Sequence, residues 1–363
     1  MLSKLMYVVG TRPEVIRSAK IIHHLDSILG RSNVVLLNTG QHYDYGMMGQ
    51  FFRQLDVRYP DVTFDAVYHT DVAAVAGIMH QVAEEIRERK CTHVAVYGDT
   101  NSSLAAALAA AKARIPVVHI EAGCRSFDLR MQEELNRRLI DHLSDVCLAV
   151  SEVCRQNLER ERVPGTIEVI GDPQFDIFSE TAGKFLFDSD SSDRDPVDEI
   201  GLVTLHRAEN VDDESRLVGI LSSLSSVSQK SGIEWIFPVH PRTRRNMTSI
   251  RLPGLKLVDP LSYEDLLRVL RMAKVCVTDS GGLQKEAYWM QVRCVTIRPS
   301  TEWIETLTEE RNLLVDNPET LASILLDVLN RGVPVRKVNN PYGPLGASER
   351  AATHISDWLM QFG

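Results

Sequence analysis

Short runs of consecutive apolar residues recur along this chain, each followed by a polar turn and then a helical repeat. Val34-Val35-Leu36-Leu37, Val94-Ala95-Val96-Tyr97, Val117-Val118-His119-Ile120 and Val146-Cys147-Leu148-Ala149-Val150 are four of them. Apolar runs without alternation suit strands covered on both faces, and their spacing by helical patterns predicts βαβ units on a parallel sheet. After about residue 172 the order resumes with Leu202-Val203-Thr204-Leu205, Trp235-Ile236-Phe237-Pro238-Val239, Val275-Cys276-Val277-Thr278 and Cys294-Val295-Thr296-Ile297, which predicts a second parallel sheet. Asp188–Pro196 between the two series is polar and acidic, the composition of a solvated loop at a domain junction. A length of 363 residues exceeds what one core supports, so two domains are expected, over residues 1–175 and 176–345. Residues 346–363 are expected to form a helix that packs back on the first domain.

Composition narrows the class of function. With 44% hydrophobic and 25% charged residues the chain is ordinary for a globular protein. No apolar run reaches the roughly 20 residues that span a bilayer. Met1–Lys4 runs directly into a strand-like segment rather than an export signal, so a soluble cytoplasmic protein with no membrane partner is expected. A net charge of −9 argues against a nucleic-acid partner. It leaves room for a small anionic ligand at a helix N-terminus. Cys91, Cys124, Cys147, Cys154, Cys276 and Cys294 form no C-x-x-C pair and read as buried free thiols.

In open parallel sheets ligands bind beyond the carboxyl ends of the strands, and here those ends carry the chemistry. Gly10-Thr11-Arg12-Pro13-Glu14 follows the first strand: a glycine turn, an arginine fork and a proline for the first helical turn. It is not the dinucleotide fingerprint, which counts against a nicotinamide enzyme. Gly40-Gln41-His42, Gly98-Asp99-Thr100-Asn101-Ser102 and His119-Ile120-Glu121-Ala122-Gly123 follow later strands. Asp99 taken alone reads as the cap of the alanine-rich helix behind it. Glu121 directly follows a buried strand and needs a partner. Glu133, Arg137 and Asp141, spaced by four, share one helix face, as a salt-bridged surface ladder would.

The second half places His206-Arg207 and His240-Pro241-Arg242 at strand ends. Thr278-Asp279-Ser280-Gly281-Gly282-Leu283-Gln284-Lys285-Glu286 reads as a strand, a Ser-Gly-Gly turn and a helix. Its backbone N–H groups and hydroxyl suit a diphosphate, and Glu286 a ribose diol. Carboxylates thus gather in the first half and a phosphate cradle in the second, so the active site is expected in a cleft between the domains.

Together these motifs resemble the non-hydrolysing UDP-N-acetylglucosamine 2-epimerase family, from Gly10 through Asn340-Pro341-Tyr342-Gly343. The matching segments are Gly10–Glu14, Thr39–His42, Gly98–Ser102, His119–Gly123, Glu133–Arg137, His206–Asn210, Asp279–Gln284 and Ala347-Ser348 before Arg350. The resemblance implies two Rossmann-like α/β domains of the glycosyltransferase-B type facing across a cleft, a homodimer, a UDP-sugar substrate, and neither metal nor nicotinamide cofactor. It implies catalytic roles for Arg12, Asp99, Glu121, Glu133 and His206. Ser280, Gly281, Gly282 and Glu286 would hold the diphosphate and ribose. Arg17, Gln41, His42, Arg137, Arg207, His240 and Arg298 complete the expected substrate contacts. The chain departs from the family pattern at Arg17, at Ala208 and at Thr301-Glu302-Trp303-Ile304-Glu305. That branch resembles enzymes acting on other UDP-acetamido sugars, such as diacetamido uronates.

C2 of such a sugar is not α to a carbonyl, so its proton leaves only as the C1–O bond to UDP breaks. The expected route is elimination to a glycal with UDP still bound, followed by re-addition. Two of Asp99, Glu121 and Glu133 would move the proton. Arg12, His206 and the Ser280–Gly282 turn would stabilise the departing diphosphate.

Overall fold

A computed structural model describes residues 3–40, 57–65, 67–186, 199–239, 243–244, 252–331 and 340–361. The expected junction loop Asp188–Pro196 lies outside them. The chain divides into two compact units: Met1–Ile177 with Asn340–Gly363, and Phe178–Asn339.

The first unit is built on a seven-stranded parallel sheet: β1 (Leu5–Val9), β2 (Val34–Asn38), β3 (Val62–Thr63), β4 (His93–Tyr97), β5 (Val117–Ala122), β6 (Val146–Ala149) and β7 (Thr166–Val169). Their spatial order is β3-β2-β1-β4-β5-β6-β7. Every residue of β1, β2, β4, β5 and β6 is buried, because helices cover both faces. Leu5, Tyr7, Val9, Leu36, Ala95, Tyr97 and Val118 pack with Val15, Ala19 and Ile22 of the helix Arg12–Leu29. Met6, Val8, Val35, Leu37, Val94 and Val96 face the other way, toward the helices Asp71–Arg89 and Asn101–Lys112.

The second unit has the order β10-β9-β8-β11-β12-β13, again parallel. Its strands are β8 (Ile200–Thr204), β9 (Glu234–Pro238), β10 (Leu255–Val258), β11 (Val275–Thr278), β12 (Arg293–Thr296) and β13 (Asn312–Leu314). Both units are therefore Rossmann-like α/β sheets. In each, the strand order reverses beside the first strand: between β1 and β4, and between β8 and β11. That is where an open α/β sheet leaves a crevice at its carboxyl edge.

The chain leaves the first unit within the helix Pro173–Leu186 and returns at Asn340 rather than at residue 346. The earlier return is enforced by Tyr342, which is fully buried and whose carbonyl accepts the Asp172 N–H at 2.9 Å. Asp176 then accepts the N–H groups of Gly346 and Ser348, both at 2.7 Å, and so seats the helix Ala347–Gln361. Ala351, Ala352, Ile355 and Leu359 of that helix enter the first unit's core. Among the described residues, no helix is long and apolar enough to cross a membrane. All six cysteines are buried and free.

Candidate active site

At the first reversal point, the turn after β1 meets the turn after β4. A Cβ on Gly10 would lie 2.0 Å from Ser102 Oγ and 2.7 Å from Thr39 Oγ1, so only glycine fits there. Glu14, expected only as part of the motif, ties the two turns together. Its Oε2 accepts Gly10 N–H (2.6 Å) and Thr11 N–H (2.9 Å), and its Oε1 accepts the hydroxyls of Thr100 (2.6 Å) and Ser103 (3.3 Å). Burial raises the Glu14 pKa despite these donors. The spacing Thr11-x-x-Glu14 is a capping-box signature and was the available signal for this residue. Arg12 begins the helix, partly buried, and burial lowers its pKa.

Asp99 does not cap the helix behind it. Thr100 does, its hydroxyl accepting Ser103 N–H at 3.2 Å. Asp99 Oδ2 instead takes Arg137 Nη2 at 2.6 Å, while Asn136 Nδ2 holds the Asp99 carbonyl at 2.9 Å. Arg137 and Asp141 are both buried, so the expected surface ladder is absent. The helix Gln132–Leu143 turns Glu134, not Glu133, onto Arg137, at 3.1 Å. Glu134 is fully buried and also accepts the Ser126 N–H at 2.8 Å. Glu133, in the first turn, is partly buried and makes no hydrogen bond or ion pair among the described residues.

Glu121 occupies the left-handed region, with φ 70°, where the β5 register against β6 shifts between Ile120 and Ala122. By strict alternation it would share the face of His119, whose partner Asp141 lies on the Gln132 helix. The irregularity turns it instead toward the Arg12 helix, where Arg17 Nη1 meets both carboxylate oxygens at 3.1 and 3.2 Å. Burial would lower the Arg17 pKa; the nearby Glu121, Tyr97, Asp172 and Asp99 outweigh that and raise it. A non-glycine residue held in this conformation costs of order 1–3 kcal/mol and persists where its surroundings over-determine it.

At the second unit's reversal point Asp279, fully buried after β11, collects the turn after β8. Its carboxylate accepts His206 N–H (3.1 Å), Arg207 N–H (3.0 Å) and Asn210 Nδ2 (3.1 Å), and faces His206 Nδ1 at 3.0 Å. Burial would raise this carboxyl, but His206, Asn210 and the backbone donor hold it below its ordinary value. The His206 side chain is 54% exposed, and its Nε2 makes no hydrogen bond among the described residues. Arg207 Nε donates to the Asp279 carbonyl at 3.1 Å.

Ser280 caps the helix Gly281–Met290. A Cβ on Gly281 would lie 2.7 Å from Glu302 Oε1 and 3.0 Å from Trp303 Nε1, so this glycine is required by a packed neighbour as well as by the turn. Arg298, expected to touch substrate, is buried and paired with Glu302 at 2.8 Å. Glu286 is also buried, and accepts the Tyr263 hydroxyl at 2.8 Å. Lys285 lies fully buried, its ammonium 3.6 Å from the Trp303 ring centre. Gly282 sits in the first turn of the same helix. Gln41, His42 and His240 lie outside the described residues.

Residues 29–356 match the family model described as UDP-N-acetylglucosamine 2-epimerase. The UDP-2,3-diacetamido-2,3-dideoxy-D-glucuronate 2-epimerase of Pseudomonas aeruginosa is 37% identical over 367 residues, covering 99% of each chain. A UDP-N-acetylglucosamine 2-epimerase homolog of Methanococcus maripaludis is 36% identical over 330 residues, covering 86% of this chain and 88% of the relative. Among solved structures, the Methanocaldococcus jannaschii UDP-GlcNAc 2-epimerase in complex with UDP-GlcNAc and UDP superimposes with a TM-score of 0.86 at 33% identity, covering 98% of this chain and 99% of that one. A chain matched over this span, with its motif residues gathered at the two sheet reversals, belongs to the UDP-N-acetylglucosamine 2-epimerase family.

Proposed function

We propose that this chain inverts C2 of a UDP-linked 2-acetamido sugar, interconverting UDP-N-acetylglucosamine and UDP-N-acetylmannosamine without releasing free sugar. The observation that carries the reading is the pair of carboxylates at neighbouring strand ends, Asp99 gripped by Arg137 and Glu121 gripped by Arg17. Epimerisation needs a proton taken from one face of C2 and another delivered to the opposite face, hence two positioned groups.

In the proposed route a carboxylate takes the C2 proton, the C–H electrons form the C1–C2 double bond, and the C1–O bond breaks with its electrons left on the diphosphate. Protonation of C2 from the other face and return of the diphosphate oxygen to C1 complete the inversion. Two of Asp99, Glu121 and Glu133 exchange the proton. Arg12, His206 and the Ser280-Gly281-Gly282 turn stabilise the departing diphosphate. Glu286 takes the ribose, and Arg17, Arg137, Arg207, Arg298, Gln41, His42 and His240 position the substrate or the groups that touch it. The enzyme works as a cytoplasmic homodimer, and the chemistry assigned here uses protein groups alone.

A second substrate is favoured by two observations: the Pseudomonas aeruginosa relative, and the Thr301–Glu305 segment in which Trp303 covers Lys285. It is a UDP-2,3-diacetamido uronate, handled by the same steps. Proton NMR in deuterated water with each UDP-sugar separately decides both questions. The accepted sugar is recovered as two UDP-linked epimers carrying deuterium at C2. Retention of protium through complete epimerisation would rule out solvent-exchanged acid/base chemistry, and free N-acetylmannosamine would mark a hydrolysing enzyme.

A further inference from the structure

His119 is fully buried beneath the turn that carries Asp99, and both of its ring nitrogens face acceptors. Nε2 lies 2.8 Å from the Gly98 carbonyl and Nδ1 lies 2.6 Å from Asp141 Oδ1. A carbonyl oxygen can only accept. The other Asp141 oxygen is occupied by Arg125 Nη2 at 2.6 Å and by the Gly123 N–H at 3.2 Å, so that carboxylate is surrounded by donors. A neutral imidazole has one N–H and would leave a lone pair pointing at an oxygen. We propose that His119 is a permanently two-proton positioning residue, an imidazolium that clamps the Gly98 carbonyl and thereby fixes where Asp99 leaves the sheet.

The neighbours support that charge. Burial alone would raise the Asp141 carboxyl, but His119 and Arg125 hold it below its usual range. Arg125 in turn grips Glu161 through Nε (2.9 Å) and Nη2 (2.8 Å), and Arg138 approaches Glu161 at 3.9 Å. Cys147, paired in register with His119 on β6, has its thiol pushed up by burial and by the charges of Asp141 and Asp145, so it stays neutral. With His119 protonated, the chain that runs from the partly buried Glu161 through the buried Arg125, Asp141 and His119 alternates in sign and ends on the Gly98 carbonyl. Gly98 is itself left-handed, with φ 68°, just where β4 ends, and its N–H donates to Ile120 O at 2.9 Å. With Asn136 on the next carbonyl, both peptide oxygens flanking Asp99 are held by side-chain donors. Charge-assisted bonds of this kind are roughly twice as strong as neutral ones.

The catalytic half of this inference rests on the epimerase reading above; the protonation half does not. Protein labelled with 15N-histidine, with His119→Gln used for assignment, is observed at about pH 8, where an unperturbed imidazole has lost its second proton. The expected result is two ring nitrogens of His119 each bearing a directly bonded proton. A single N–H overturns the proposal, whatever reaction the enzyme performs. In Asp141→Asn the amide oxygen is held by Arg125 and the Gly123 N–H, so the amide NH2 faces Nδ1, which loses its proton, while Nε2–H stays on the Gly98 carbonyl. The positioning role is read in His119→Leu, which offers the Gly98 carbonyl no donor and should lower kcat about tenfold or more with KM for the UDP-sugar little changed, while His119→Gln, whose amide NH2 supplies one, recovers part of the loss. A kcat of His119→Leu equal to the parent's would overturn the positioning role.

Discussion

Arg17 Nη1 stands between the two oxygens of Glu121, 3.2 Å from one and 3.1 Å from the other, so one nitrogen serves both. A single cationic nitrogen does not require the planar guanidinium fork, and a lysine ammonium can occupy the same point. Arg17→Lys should therefore keep kcat within about tenfold of the parent, whereas Arg17→Met should lower it by the 10²–10⁴-fold typical of a misplaced acid or base. Glu121→Gln should match Arg17→Met while UDP affinity by calorimetry is unchanged. Equal loss in the lysine and methionine variants would show that arginine geometry matters here.

Arg137 and Glu133 separate stability from turnover. Arg137→Ala leaves the buried Glu134 without its arginine partner at position 137 and Asp99 unpaired, and should cost about 3 kcal/mol in urea unfolding. Glu133→Gln breaks no interaction among the described residues and should unfold within about 0.5 kcal/mol of the parent. If Glu133 moves a proton, only turnover changes in that variant. A stability loss there would show that it is held by something outside the described residues.

Gly281 cannot accept a side chain without moving Glu302, which Arg298 anchors. Gly281→Ala should lower stability and weaken UDP binding together. Gly281→Ala with Glu302→Ala should lose less stability than the two single losses added together, as expected for residues in contact. Ser280→Ala is the cleaner probe of the turn. It should cost about 1 kcal/mol for the lost cap and raise the Kd for UDP. Unchanged UDP affinity in Ser280→Ala would remove that hydroxyl from the nucleotide site.

Asp279 gives the protein an acid limit whose direction follows from its depressed pKa. A carboxyl with a folded pKa below its unfolded value of about 3.9 contributes stability that is complete above that pH. The contribution is lost as pH falls through the folded value. Asp279→Asn should be less stable than the parent at neutral pH, yet lose less on further acidification below about pH 4. Parallel urea midpoints for parent and variant across that range would contradict the assignment.

Much of this was readable without coordinates, and the exceptions have physical reasons. The apolar runs became β1, β2, β4–β6, β8, β9, β11 and β12 because strands covered on both faces need no polar alternation. Ser280 was read as the hydroxyl of a phosphate-binding turn, and the structure also makes it the cap of its helix, by the same local rule that misled at Asp99. Capping is decided by which of several adjacent polar residues holds extended backbone, and Thr100 wins here. The choice of Glu134 over Glu133 beside Arg137 is a question of helix phase, and both spacings are permitted on a helix surface. The left-handed turn at Glu121 had no signal in composition, since a glutamate is not marked for that conformation. The obstacle behind Gly281 comes from Glu302, distant in sequence and visible only once β12 is in place.

The return of the chain at Asn340 sets an order of events during synthesis. Strands β1 to β7 emerge from the ribosome first, but the face of the Arg12 helix that packs against the helix Ala347–Gln361 remains uncovered until that last helix is made. At about 5–20 residues per second, this leaves the first unit's core incomplete for on the order of ten seconds or more. Meanwhile the second unit, continuous from Phe178 to Asn339, is translated whole. The unit begun first is thus finished last, and the nascent chain presents an open apolar groove that its own final helix must reach before another molecule's does.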